Sequence, residues 1–188
     1  FLNGSPIHQL RPDLIAKKGI GRTFQVVRPF QNLSVLQNVL VPYGAKYYSS
    51  PLKLFKNYSG GEIRDFGDRV ISLLSLEKYR DEAAHTLPLG LLRRLEIARS
   101  LALGAQVLLL DEIFSGLSVE ECHNLNGLIL SLKKQGKAIL LIEHNMKIAM
   151  ELCDRLVVLN FGQKIAEGTP AQVCADPLVI EAYLGKKE

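Results

Sequence analysis

Apolar positions along the chain fall into two rhythms. Val107 to Leu110 form a continuous apolar run that ends in two adjacent carboxylates, Asp111 and Glu112. Leu125, Leu128, Ile129 and Leu132 then recur at helical spacing, and a second apolar run, AILLIEH, occupies 138–144. Strand, helix, strand with unbroken apolar strands predicts a βαβ unit in a parallel sheet covered on both faces. Ser118 and Glu121 form a capping box that opens the helix, while Lys133, Lys134 and Gly136 suit its end. Downstream, the pattern predicts a short helix from Asn145 to about Cys153. It then predicts strands RLVVLN and QKIAEG around a Phe161-Gly162 turn, and a last helix capped by Thr169 with Pro170 in its first position.

The N-terminal part differs. Phe1 reads as mid-strand, a helix covers Pro12 to Lys18, and a strand, IGRTFQ, ends at Gln25. Ser34 and Gln37 make a second capping box, opening a helix through Val39. Residues from Pro42 to Gly61, rich in Tyr, Ser, Pro and Gly, read as loop. Helical stretches follow at Glu62 to Leu76 and Gly90 to Leu103. The division expected is an α/β core made of 1–29 and 105–188, with a helical subdomain at 30–104 inserted into it.

Composition narrows the class only a little. The chain has 188 residues, and its net charge of +4 is scattered rather than gathered into a basic tract, so nucleic acid is not an expected partner. Three cysteines, Cys122, Cys153 and Cys174, are far apart and odd in number, which argues against a disulfide framework or a zinc site. No apolar run approaches the roughly 20 residues that span a bilayer.

In an open parallel sheet, ligands gather at the carboxyl ends of the strands. Three strands end here in polar groups: Gln25, the Asp111-Glu112 pair, and Glu143-His144. Any one of these is commonplace. Together they suggest hydrolysis of a phosphoanhydride. Two neighbouring carboxylates repel unless a cation or proton lies between them. A hard dication takes oxygen ligands and phosphate oxygens, and one carboxylate can hold it while the other activates water.

These segments resemble the motifs of the ATP-binding subunit of ABC transporters. VLLLDE is similar to a Walker B segment with its adjoining glutamate, GRTFQ to a Q-loop, SGLS to a D-loop and LLIEH to an H-loop. The stretch RTFQVVRPFQNLSVLQNVL, the block RRLEIARSLAL and the tail GQKIAEGTPAQVCADPLVIEAYLG resemble the branched-chain amino-acid uptake branch. The resemblance implies a P-loop NTPase-like core with ATP and Mg²⁺ as cofactors. Asp111 and Gln25 would contact the metal, Glu112 would be the general base, and His144 would touch the γ-phosphate. Residues Ser115, Gly116 and Ser118 would cross a dimer interface, although Ser118 competes for that role as a helix cap. It also implies a second ATPase subunit and transmembrane permease subunits as partners, at the cytoplasmic face of a membrane.

The pattern breaks in two places. The signature loop reads Leu87, Pro88, Leu89, Gly90, Leu91, and Pro88 stands where the family has Ser. Proline offers neither a hydroxyl nor an amide donor, while Gly90 and the helix's positive end can still meet an anion. Nowhere is there a G-x-x-x-x-G-K-S/T, the nest and lysine that cradle phosphates. In the family that loop lies upstream of FLNG. The expectation is therefore a cassette lacking its N-terminal strands, inactive as the 188 residues alone. The rival readings are a non-catalytic interaction module and an ABC ATPase of the DNA-repair type.

Overall fold

A computed structural model of the chain describes residues 1–45 and 60–184, arranged as two compact units, Phe1–Ile142 and Glu143–Glu188. The first unit opens not in mid-strand but in a tight turn: Leu2 and Ser5 exchange backbone hydrogen bonds across Asn3 and Gly4, both with positive φ. Asn-Gly favours such a turn because both central residues tolerate left-handed backbone. Helix α1 (Pro12–Lys17) leads into β1 (Ile20–Arg22), which pairs in parallel with β2 (Val107–Asp111), and β2 pairs in parallel with β3 (Ala138–Ile142). The order β1-β2-β3 puts β2 in the centre.

β1 is shorter than its sequence predicts, stopping at Arg22 rather than Gln25. Thr23 ends it. Its amide still donates to the Leu109 carbonyl at 3.0 Å, but its hydroxyl, not its carbonyl, meets the Asp111 amide at 3.3 Å. The side chain thus substitutes for the ladder, and the backbone is released to turn away.

Leu108 and Leu110 bury one face of β2. α5 (Val119–Lys134) buries Leu125, Ile129 and Leu132, opens on the Ser118–Glu121 capping box and closes at Gly136, with φ of 82°. The predicted cover on both sheet faces is not met along β3, where Leu140 and Ile142 are 59% and 56% exposed. An apolar run reports that a strand is hydrophobic, not which neighbours reach it. β3 also ends at Ile142 rather than His144.

Between β1 and β2 the chain is helical. α2 (Val35–Ala45) starts on the predicted box, Ser34 and Gln37 each accepting the other's amide. It runs past Val39 and carries Pro42 in its interior, where a loop is expected. Packing overrides the proline: α2 lies against α3 (Gly60–Leu73) and α4 (Leu89–Leu103), and Tyr43 stacks on Phe66 with ring centroids 4.2 Å apart. The rest of the expected 42–61 loop, residues 46–59, lies outside the described residues. α3 stops at Leu73, short of Leu76, because Ser75 turns left-handed at φ of 53° and Leu76 bonds back to Ile71.

The second unit has its own apolar centre of Ala149, Leu156, Val158, Ala166, Val173 and Val179. α6 (Met146–Leu152) is capped by the Asn145 side chain, and β4 (Leu156–Asn160) and β5 (Gln163–Gly168) form the predicted antiparallel hairpin. Phe161 and Gly162, φ of 47° and 78°, make its turn. The single last helix is in fact two. α7 (Pro170–Cys174) carries the Thr169 cap, and α8 (Pro177–Leu184) restarts at Pro177, whose missing amide cannot continue α7. Asp176 caps the new start by accepting the Leu178 amide at 2.9 Å. None of the three cysteines is in a disulfide. Among the described residues no helix is long and apolar enough to cross a membrane.

Candidate functional site

Asp111 is the last residue of β2, and its carboxylate accepts from Arg22 Nη2 at 3.2 Å. Both side chains are partly solvated, so the pair contributes little stability. Glu112 follows with φ of 46°, a left-handed conformation that non-glycine residues seldom adopt. Its amide still reaches the Ile142 carbonyl at 3.0 Å, so the sheet's edge holds the residue while the backbone turns. That turn sends the two neighbouring carboxylates to different partners: Gln25 Nε2 donates to Glu112 Oε2 at 2.9 Å. Gln25, Asp111 and Glu112 thus gather at the carboxyl ends of β1 and β2.

Gln25 stands beyond its strand, so something else must fix it. Arg93, in α4, is 3% exposed and donates from Nη1 to the Phe24 carbonyl and from Nη2 to the Gln25 carbonyl, both at 2.8 Å. The helix face continues with Glu96 and Arg99. Arg99 Nη1 donates to the Arg28 carbonyl at 2.8 Å and its guanidinium lies over the Phe30 ring. Burial holds the Glu96 carboxyl above the ordinary carboxylate value, against the backbone amides of Arg28 and Phe24 and the charges of Arg93 and Arg99. The sequence reading missed this row as a functional feature. Its signal was charge at i, i+3 and i+6 in RRLEIAR, on a helix that otherwise reads apolar.

The 112–118 loop is anchored locally. Ile113 and Phe114 are buried, the Ser115 amide donates to the Glu112 carbonyl, and Gly116 turns left-handed at φ of 79°. Ser118 caps α5 and so has the structural role that competes with an interface role. Beside this loop stands the start of α4. Leu87 is buried, Pro88 is the N-cap without a side-chain bond, and its carbonyl takes the Leu91 and Leu92 amides. Gly90 meets Glu121: a Cβ there would lie 2.6 Å from Glu121 Oε1. The Ser118 amide, then the Ser118 hydroxyl and the Gly90 amide, hold Glu121 below the ordinary carboxylate value. Leu89 reaches toward Gly116, 3.1 Å from where a Cβ would stand. The 87–91 and 115–118 segments therefore adjoin. His144 belongs to the second unit, where its amide donates to the Glu143 carboxylate at 3.2 Å.

The donor set suits one kind of metal. Among the described residues no group of three or more His, Cys, Asp and Glu side chains could cage an ion. Asp111, Glu112 and Gln25 instead offer oxygens alone. That fits Mg²⁺, which takes one or two carboxylates and completes its shell with phosphate oxygens and water.

The chain is similar to known proteins along nearly all of its length. Residues 1–115 match the family model described as ABC transporter, and residues 163–188 match the model described as branched-chain amino acid ATP-binding cassette transporter. The high-affinity branched-chain amino acid transport ATP-binding protein BraF of Pseudomonas aeruginosa is 38% identical over 191 aligned positions, covering 98% of this chain and 75% of that protein. LivG of Escherichia coli, a protein of the same description, is 37% identical, covering 92% of this chain and 70% of its own. The crystal structure of the ADP conformation of MJ1267, an ATP-binding cassette of an ABC transporter, superposes with a TM-score of 0.76 at 32% identity, covering 93% of this chain and 72% of that one.

Proposed function

The chain belongs to the ABC transporter family as an ATP-binding subunit with a P-loop NTPase fold, and from that premise we propose that it hydrolyses MgATP to drive uptake of branched-chain amino acids or a similar small solute. The observation that carries the reading is the hydrogen bond between Gln25 and Glu112 beside Asp111. In phosphoryl transfer the protein's task is positioning and charge stabilisation. Asp111, with the Gln25 amide oxygen, would hold Mg²⁺, which would supply neutralisation of the phosphate oxygens. Glu112 accepts a proton from the attacking water at its carboxylate. Gln25 orients that carboxylate through Nε2. His144 contacts the γ-phosphate.

The 87–91 and 115–118 segments adjoin, which supports their joint use as the face toward a second cassette. There the N-terminus of α4 would supply amides in place of the missing serine hydroxyl. Permease subunits dock on the segment after Gln25 and on the 30–104 helical insert, whose α2, α3 and α4 pack on one another. The remainder, 1–29 and 105–188, is the ATPase core. The subunit is peripheral to the membrane, at its cytoplasmic face, as the relatives' transport role suggests.

A second reading has its own support. The 188 residues contain no G-x-x-x-x-G-K-S/T, so by themselves they lack a phosphate cradle and should turn over no ATP. One experiment addresses both. Phosphate release is measured for the transporter complex assembled from the gene product, and for the purified 188 residues. The complex should turn over ATP and lose about 10²-fold to 10⁴-fold on Glu112→Gln, as expected for a general base. A complex indifferent to that substitution would sink the hydrolytic assignment, and turnover by the 188 residues would sink their inactivity.

A further inference from the structure

From Phe24 to Ser34 the chain has no helix or strand, yet several of its backbone polar groups are taken up by side chains of two helices, Arg93 and Asn38 buried and Arg99 half-buried. Arg93 holds the carbonyls of Phe24 and Gln25 and Arg99 holds the carbonyl of Arg28, with the buried Glu96 between them on the helix. Further along, the fully buried Asn38 of α2 accepts the Phe30 amide at 2.9 Å and donates to the carbonyls of Phe30, Leu33 and Ser34. Burying a guanidinium and a carboxylate is costly. A merely adequate loop anchor would not need them, since turns can satisfy a backbone locally.

What this expense secures is visible at Gln25. Its carbonyl is held by Arg93 and its side chain reaches Glu112, so one residue joins α4 to the carboxylate at the end of β2. The planar fork of Arg93 meets two successive carbonyls with one group, which fixes the direction of the peptide as well as its place. A change of about 1 Å there would take the Gln25 amide out of reach of Glu112. The first turn of the same helix carries Gly90, one turn before Arg93. A shift at that end would pass along a rigid rod to Gln25.

We infer that Arg93 is a positioning residue for Gln25, with Arg99 extending the grip to Arg28, so that α4 governs whether Gln25 reaches Glu112. The contacts stand by themselves; their bearing on catalysis rests on the hydrolytic reading above.

The test has two arms. In the 188-residue chain, the side-chain amide signal of Gln25 is followed by ¹⁵N NMR and assigned with Gln25→Ala. Glu112→Ala marks where the signal lies without its partner. Arg93→Met should carry it to that same place, and Arg93→Lys should carry it in the same direction, with the backbone amide shifts of β2 still those of the folded chain. Should Arg93→Met fail to fold, Arg93→Lys decides alone. A Gln25 signal unmoved in a folded Arg93→Lys protein overturns the inference. In the assembled transporter, Arg93→Lys should lower kcat by about 10²-fold, the cost of a small misplacement, with KM changed less than about threefold. A KM rise with unchanged kcat overturns the catalytic part. If Glu112→Gln is itself without effect on turnover, it is the hydrolytic reading that has failed, and the NMR arm still judges the clasp.

Discussion

Two loops meet at the candidate site and are held in opposite ways. The 112–118 loop is fixed by neighbours in sequence: the Ser115 amide on the Glu112 carbonyl, a left-handed Gly116 and the Ser118–Glu121 box. The 24–28 segment is fixed from a distance, by Arg93 and Arg99 more than sixty residues away. Local fixing involves little charge burial and keeps a loop's shape independent of the rest. Distant fixing is expensive and makes the loop report on the helix that grips it. The difference implies that the 112–118 loop is the stable reference and the Gln25 segment the adjustable part.

Breaking the distant grip should cost most. Arg93→Met takes from the buried Glu96 the nearer of its two charged neighbours and frees two backbone carbonyls, and should destabilise the first unit by about 3–5 kcal/mol in urea unfolding. A loss under about 1 kcal/mol would mean that the loop holds itself. Next comes Gly90→Ala. The new methyl would stand 2.6 Å from Glu121 Oε1 and push that carboxylate away from the Gly90 amide, at about 1–2 kcal/mol by the same measurement. Pairing it with Glu121→Ala should relieve most of that, and an undiminished loss would place the strain elsewhere. Ser118→Ala, which removes only the local cap, should cost about 1 kcal/mol and leave the Gln25 amide signal in place.

The smallest effect sharpens the contrast through pH. Glu96 lies above its ordinary value, so the stability it contributes is complete below the unfolded carboxylate value and is lost as pH rises through the folded one. Glu121 lies below its ordinary value, so its contribution is present above the unfolded value and is lost as pH falls through the folded one. Amide protection at Arg28 should therefore decline from acid toward neutral pH, and protection at Gly90 should decline in the other direction. Slopes of one sign at both loops would show that the two carboxylates do not anchor them separately.

What was legible in the sequence follows the same division. Capping boxes at Ser34 and Ser118, the Thr169 cap, the Phe161-Gly162 turn and the βαβ core could be read because each is a local pattern. Motif residues Gln25, Asp111 and Glu112 could be named, though naming them said nothing of the Gln25–Glu112 bond. Three features escaped because contacts distant in sequence decide them: β1 stopping at Thr23, α2 continuing through Pro42, and the solvent-exposed face of β3. Arg93 escaped for a related reason, since an arginine on a helix reads as solvated until its partners are known. Pro177 was readable, and its power to split the last helix was overlooked.

One consequence remains in the backbone at 112. Left-handed geometry at a glutamate has a conformational cost of about 1 kcal/mol that glycine would not incur. Glu112→Gly should thus raise the melting temperature while removing the group on which turnover would depend. A natural or selected chain with glycine there would be the sturdier molecule and the idle one, so at this position selection for endurance and selection for work pull in opposite directions.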